Sequence, residues 1–126
     1  MTASAGTISV TESPETITRL NRYTAWERVV TFAIISGDTT GAATVPINGV
    51  LQKIIVEISD FTTGDGTVGV TLSDNGDNPI FSVSSLADPA IHTYSVTEPL
   101  VEEVNIALTF TDPTASETVV VTLRGI

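Results

Sequence analysis

The stretch TLSDNGDNPIFS, residues 71–82, gathers the side chains best suited to bind a metal ion. Two aspartates and two asparagines surround one glycine, as in a calcium-binding loop. An EF-hand, however, places oxygen ligands at positions 1, 3, 5, 7, 9 and 12 and glycine at position 6. Counted from Asp74, position 3 is Gly76 and position 6 is Pro79, so the pattern fails. Only a loose surface calcium site at Asp74 and Asp77 remains as a metal hypothesis.

The same residues also predict a tight turn. Asn-Gly between two alternating runs is a strong hairpin signal, because both residues accept positive φ. Flanking Asp and Asn side chains fix such turns by hydrogen bonds to the backbone. We therefore interpret the loop as a β-hairpin turn, with calcium binding as the alternative.

Residues that could support catalysis are isolated in the sequence. His92 is the only histidine, and no G-x-S-x-G nucleophile elbow occurs. The absence of cysteine excludes thiolate metal ligands and a cysteine nucleophile. Acidic residues such as Glu57, Glu102 and Glu103 fall at outward strand positions or turns, which is typical of a solvated face and not of a paired glycosidase acid and base. We predict that the chain is not an enzyme and has no cofactor.

Charge and hydropathy limit the partners. The formal net charge is −10, which argues against nucleic acid and against anionic membrane surfaces. The longest apolar stretch, residues 29–35, is too short to span a bilayer, and the first ten residues lack the features of a secretory signal. Only 16% of residues are charged and the mean hydropathy is positive, which indicates that some outward surface is covered in an assembly.

Threonine, valine and isoleucine account for 48 of the 126 residues, and these β-branched side chains favour strands. Alternation of apolar and polar residues is clear in AWERVVTFAII, KIIVEIS, TVGVTLS, EVNIALTF and TVVVTLR, and Trp26 aligns with a core face. Weaker strands are predicted at 7–12, 79–84 and 92–97. The fold prediction is all-β: a jelly-roll-like β-sandwich with about eight strands in two antiparallel sheets. Residues 1–22 are predicted as an N-terminal arm or first strand, and residues 23–126 as the sandwich.

Five residues are candidates for contacts with a capsid or with other subunits. Ile55 and Val120 interrupt otherwise polar outward faces, which predicts either a second packing layer or a subunit interface. Arg19, Arg22 and Arg28 concentrate positive charge near the N-terminus of an acidic chain. These arginines form either a solvated edge or an arm that docks on an acidic neighbour.

Two stretches resemble a known group of proteins. They are VPINGVLQKIIVEISDFTTG, and DNGDNPIFSVSSLADPAIHTYSVTEPLVEEVNIALTF followed by a closing VVVTLRGI. Their order and composition, over residues 45–126, resemble the small virion structural proteins of tailed bacteriophages, in particular the jelly-roll head decoration (cement) proteins. The resemblance does not cover the N-terminal third.

The resemblance implies a non-catalytic β-sandwich that binds the outside of a phage head, commonly as a homotrimer, and stabilises the shell. The implied partners are the major capsid protein and further copies of the chain, and the implied location is the virion surface after synthesis in the host bacterial cytoplasm. Two alternatives stay open: a tail or neck component of the same fold, and a carbohydrate- or calcium-dependent binding module.

Overall fold

The computed structural model describes residues 7–13, 25–61 and 66–126, which fold into nine antiparallel strands. The strands are β1 (Thr7–Ser13), β2 (Trp26–Ile34), β3 (Thr40–Pro46), β4 (Gly49–Ile58), β5 (Thr67–Ser73), β6 (Pro79–Ala87), β7 (Ala90–Leu100), β8 (Glu103–Phe110) and β9 (Glu117–Gly125). The described part of the chain contains no helix long and apolar enough to cross a membrane. The prediction of an all-β fold is confirmed.

The strands form a five-stranded sheet in the order β1-β2-β9-β4-β7 and a four-stranded sheet in the order β3-β8-β5-β6. Apart from β1, this is the strand order of a jelly roll, in which successive strands alternate between two facing sheets except for the β5–β6 hairpin. The predicted β-sandwich is therefore confirmed. Among the described strands β1 pairs only with β2, and the division of the chain into an arm (1–22) and a domain (23–126) stays a prediction.

One strand was absent from the sequence-based prediction. Strand β3 reads TGAATVP, and its inward residues are Gly41, Ala43 and Val45. Only Val45 of these three gives a clear hydrophobic signal, so the alternation is too weak to recognise. The strand exists because β8 supplies a continuous antiparallel partner from Thr40 to Pro46.

The core lies between the two sheets and is made of alternate residues of the paired strands, as the alternation predicted. Among the described residues, no polar or charged side chain is buried. The side chains of Val30, Phe32 and Ile34 in β2 are fully buried, and Trp26 packs against this core at the start of the same strand. The core residues of the other central strands are Leu51, Ile54, Val56, Ile58, Val68, Val70, Leu72, Val104, Ile106, Leu108, Phe110, Val119, Val121 and Leu123.

Candidate interaction surface

The loop at residues 74–78 is a hairpin turn between β5 and β6, as predicted. The Oδ1 atom of Asp74 accepts hydrogen bonds from the backbone N–H groups of Gly76 and Asn78, both at 2.9 Å. The Asp77 N–H donates to the Asp74 carbonyl at 3.0 Å. Positive φ falls on Asp77, at 63°, and not on the Asn-Gly pair that suggested the turn. The physical reason is that the loop is a three-residue turn with its last residue in the left-handed region.

The Asp74 carboxylate is therefore engaged by its own turn. Within the described residues, no group of three or more His, Asp or Glu side chains is placed to hold a metal ion. Calcium binding at Asp74 and Asp77 stays a prediction.

The turn makes stability depend on pH. The backbone hydrogen bond from Asn78 holds the pKa of Asp74 below its ordinary value of 3.8. Because the folded value is the lower one, the stabilisation is complete above the unfolded pKa and is lost as pH falls through the folded pKa. We expect Asp74→Asn to lower the urea midpoint at neutral pH, and the gap to wild type to close in acid.

Asp77→Asn is the matched control for that measurement. It removes the same charge from the same turn but keeps the Asp77 N–H donor. A gap for Asp74→Asn that stayed constant down to about pH 2 would contradict the assignment.

Of the three candidate arginines, Arg19 and Arg22 lie outside the described residues. Arg28 lies near the start of β2 in the register of the inward residues. Its Nε donates to the Pro46 carbonyl at 3.4 Å, and its guanidinium lies 5.6 Å from the centre of the Trp26 ring. Arg28 therefore borders one end of the sandwich and is separate from Ile55 and Val120.

Ile55 and Val120 both lie on the outward side of the five-stranded sheet, and both are half-buried. The register pairs Ile55 with Thr122 and Glu57 with Val120, which makes Ile55 and Val120 diagonal neighbours. Diagonal neighbours on one face lie about 7–8 Å apart, within reach of large side chains. The structure thus brings together the two outward apolar residues that the sequence identified.

Two further apolar residues extend this pair across the sheet. Ile91 of β7 pairs with Glu57 and is therefore diagonal to Ile55. Val29 of β2 pairs with Thr122 and is diagonal to Val120. Ile91 is 65% exposed, the highest value among the large hydrophobic residues described. We name the surface formed by Ile91, Ile55, Val120 and Val29 the apolar zigzag.

Threonines lie beside the residues of the apolar zigzag on the neighbouring strands, and charged residues lie at its borders. The threonines that pair with its members are Thr31, Thr93 and Thr122. At one border, the Arg124 Nε atom lies 2.7 Å from Glu27 Oε2, in an ion pair that is largely exposed. Beside Val120 lies a shallow hollow of about 300 Å³ that Glu57, Ser59 and Thr118 also line. Its mixed apolar and hydroxyl character suits contact with another protein surface.

Charge is unevenly divided between the two ends of the sandwich. The described cations Arg28, Lys53 and Arg124 lie where β2 and β4 begin and β9 ends, together with the carboxylates of Glu27, Glu98, Glu102 and Glu103. The opposite end is acidic, and Asp112 there accepts hydrogen bonds from the N–H groups of Gly37 and Thr114, which lower the pKa of its carboxyl. The acidic residues of this end are Asp38, Glu57, Asp60, Asp88, Asp112 and Glu117.

The single histidine, His92, lies near the start of β7 and contacts the end of β6. Its Nε2 atom lies 3.3 Å from the Ala87 carbonyl, five residues earlier in the chain. This contact is structural, and it suggests no catalytic role for His92.

No family model matches the chain, and no curated protein matches it. Among solved structures, a Bacillus endospore appendage protein of disulfide-linked pili is 14% identical with a TM-score of 0.45, over 99% of this chain and 95% of that chain. A carbohydrate-binding module in complex with beta-1,4-galactotriose is 11% identical with a TM-score of 0.41, over 97% and 90% of the two chains. The enzymatically active domain of bacteriophage CBA120 tailspike protein 4 is 11% identical with a TM-score of 0.31, over 97% of this chain and 18% of that chain.

At TM-scores of 0.45 or lower, these similarities carry no argument about function. The resemblance to phage head decoration proteins is supported by no family model and no curated relative, so it stays a hypothesis of the sequence.

Proposed function

We propose that this chain is a non-catalytic structural subunit that assembles with copies of itself through the apolar zigzag. The observation that carries the proposal is the exposure of Ile91 beside Ile55, Val120 and Val29 on one sheet face. A soluble chain gains by covering such a surface, since burial of apolar area is the main favourable term in association.

The specific role proposed is that of a head decoration protein of a tailed bacteriophage, which binds the major capsid protein on the virion surface as a homotrimer. The sequence resemblance over residues 45–126 supports this role. Individual contacts in such an assembly need not be strong, because many copies on one lattice gain avidity through effective concentration. The acidic end of the sandwich offers a complementary surface for the basic N-terminal segment with Arg19 and Arg22 of a neighbouring copy.

The test is the mass of the purified protein, measured by light scattering coupled to size exclusion. We expect the wild type to form trimers, single or joined in pairs, and the double variant Ile55→Lys with Val120→Lys to form none, so that its mass is that of a monomer or a dimer. Two lysines on this face would have to be desolvated within the interface, which is unfavourable without partners. The free energy of unfolding of this double variant is expected to stay within about 0.5 kcal/mol of the wild-type value after correction for assembly, because both side chains point outward.

The matched control places two lysines on the outward side of the other sheet, at Ser82 and Ala107, which are both exposed. This variant is expected to remain trimeric. A larger closed ring would favour a tail or neck component. A monomeric wild type that calcium or a glycan stabilises would contradict the proposal and favour a binding module, above all if Asp74→Ala removed the calcium effect.

A further inference from the structure

Among the described strands β3 pairs only with β8, so it forms an edge of the four-stranded sheet, and half of its backbone groups face away from β8. The ladder with β8 continues through the Phe110 N–H to the Thr39 carbonyl and the Ile47 N–H to the Glu102 carbonyl, both at 2.9 Å. Hydrogen-bonded pairs alternate in an antiparallel ladder, so Gly41, Ala43 and Val45 bond to β8. The N–H and C=O groups of the alternate residues Thr40, Ala42 and Thr44 therefore point away from β8.

The other three edge strands carry charges or bulges that discourage pairing with another chain, whereas β3 has neither and has a proline, Pro46, only at its last position. Natural edges are protected by charges, prolines and bulges. Strand β1 contains Glu12, and β7 has a register shift against β4 together with Glu98 and Pro99. Strand β6 has two register shifts against β5, and Ser85 within it has a φ of 59°. Strand β3 has no charged residue and pairs with β8 without a register shift.

We infer that β3 pairs antiparallel with β3 of a second copy, which joins the two four-stranded sheets across a twofold axis at Ala42. The sequence of β3 indicates that the partner strand is β3 of a second copy. Around Ala42, TGAAT is nearly symmetric, with threonine at 40 and 44 and small residues at 41 and 43. In a contact about a twofold axis at Ala42, each residue before Ala42 lies opposite the residue at the same distance after Ala42 in the other copy. Such an isologous contact therefore requires a strand that is complementary to its own reverse.

The free backbone groups fix the register. With Ala42 opposite Ala42 of the second copy, Thr40 lies opposite Thr44. The backbone N–H and C=O groups of Thr40, Ala42 and Thr44 then all form hydrogen bonds between the two copies. Shifting the axis to Ala43 would place Thr40 opposite Pro46, which has no N–H and whose carbonyl already accepts from Arg28 at 3.4 Å. The Ala42 axis is therefore the register in which every N–H and C=O group of Thr40, Ala42 and Thr44 is paired between the copies.

Charge agrees with this arrangement. A chain of net charge −10 repels its copies, so an uncharged strand is the edge that two copies can bring together. In the Ala42 register, Asp38 of one copy lies opposite Pro46 of the other, where the Arg28 guanidinium sits. Each end of the paired strands thus brings an acidic residue of one copy towards a basic residue of the other.

The chain contains no cysteine, so single cysteine substitutions report this contact without background. Hydrogen-bonded pairs have Cα atoms about 5.5 Å apart, which is compatible with a disulfide. We expect Ala42→Cys to form an intermolecular disulfide under mild oxidation, at least about tenfold faster than the control Ser95→Cys on the edge strand β7. An equal mixture of Thr40→Cys and Thr44→Cys should form the mixed dimer, and neither variant alone should do so.

A second variant tests the backbone pairing itself. Ala42→Pro removes an N–H that faces away from β8, so the ladder to β8 is kept and the edge is blocked. We expect it to keep the wild-type circular dichroism and to lose the β3-mediated association in light scattering. The inference is overturned if Ala42→Cys crosslinks no faster than Ser95→Cys, if the two threonine variants crosslink equally well alone, or if Ala42→Pro leaves the mass unchanged.

These outcomes are independent of the proposed function. The double lysine variant at Ile55 and Val120 leaves β3 intact, so it should still crosslink through Ala42→Cys. Crosslinking that persists in that background while the trimer is lost would separate the two contacts.

Discussion

Gly125→Ala is expected to lower the free energy of unfolding by about 3 kcal/mol, because the position has no room for a Cβ atom. A Cβ at Gly125 would overlap the Val50 carbonyl oxygen and lie 2.6 Å from Cζ2 of Trp26. Backbone cannot yield as a side chain can, so the strand end would have to move. That movement would break the paired hydrogen bonds between Val50 and Ile126 that fasten the end of the chain to β4.

The measurement is urea unfolding followed by far-ultraviolet circular dichroism and by the fluorescence of Trp26, the single tryptophan. Gly37→Ala is the matched control, because Gly37 has a φ of 92° but no atom within 4 Å of a new Cβ. Gly37→Ala is expected to lower the free energy of unfolding by about 1 kcal/mol, because only the left-handed backbone conformation disfavours alanine there. If the two variants lost equal stability, close approach at Gly125 would not be the cause.

Phe61→Ala is expected to cost about 3–5 kcal/mol, the range for removing a large buried aromatic side chain. Phe61 is 2% exposed although it lies in the loop after β4. Its ring fits against Gly66, where a Cβ would lie 2.9 Å from the ring Cγ atom, and its backbone N–H donates to Asp88 Oδ2 at 2.7 Å. The ring therefore fastens the loops of the acidic end to the core, and its loss leaves a cavity that the surrounding strands cannot fill.

Phe81→Ala is the control for that variant, since Phe81 is half-buried on the edge strand β6. Its ring lies 5.1 Å from that of Tyr94, and the pair is open to solvent on one side. We expect a cost of about 1–2 kcal/mol from lost apolar contact. The stabilities of the two variants are compared by their urea midpoints. Equal losses of stability in Phe61→Ala and Phe81→Ala would show that Phe61 is not a core residue.

Several features of the fold follow from local sequence patterns. Alternation with period 2 predicts β2, β4, β5, β8 and β9, because a strand with one buried face has to alternate. The Asp-Asn cluster predicts the hairpin at 74–78, because Asp74 binds backbone N–H groups within its own turn. The outward direction of Ile55 and Val120 also follows from alternation alone.

Other features depend on contacts between segments that are distant in the chain. Phe61 falls outside the alternation of β4, so its burial depends on contacts with residues outside that strand, of its ring with Gly66 and of its N–H with Asp88. Strand β3 carries a weak pattern of small residues and is defined by its pairing with β8, about 60 residues later. Positive φ at Asp77 reflects the geometry of the whole turn and not the propensity of Asn-Gly.

The candidate surfaces divide in the same way. The sequence by itself determined that the chain is an acidic, cysteine-free β-sandwich and that Ile55 and Val120 face outward, since composition and alternation are local properties. Only the tertiary structure decided that β4 lies between β9 and β7, which places Ile91 and Val29 beside those two residues. It also decided that β3 lies at an edge of the four-stranded sheet within the described part of the chain. The physical reason is that strand order is set by long-range pairing, on which the period of a single strand carries no information.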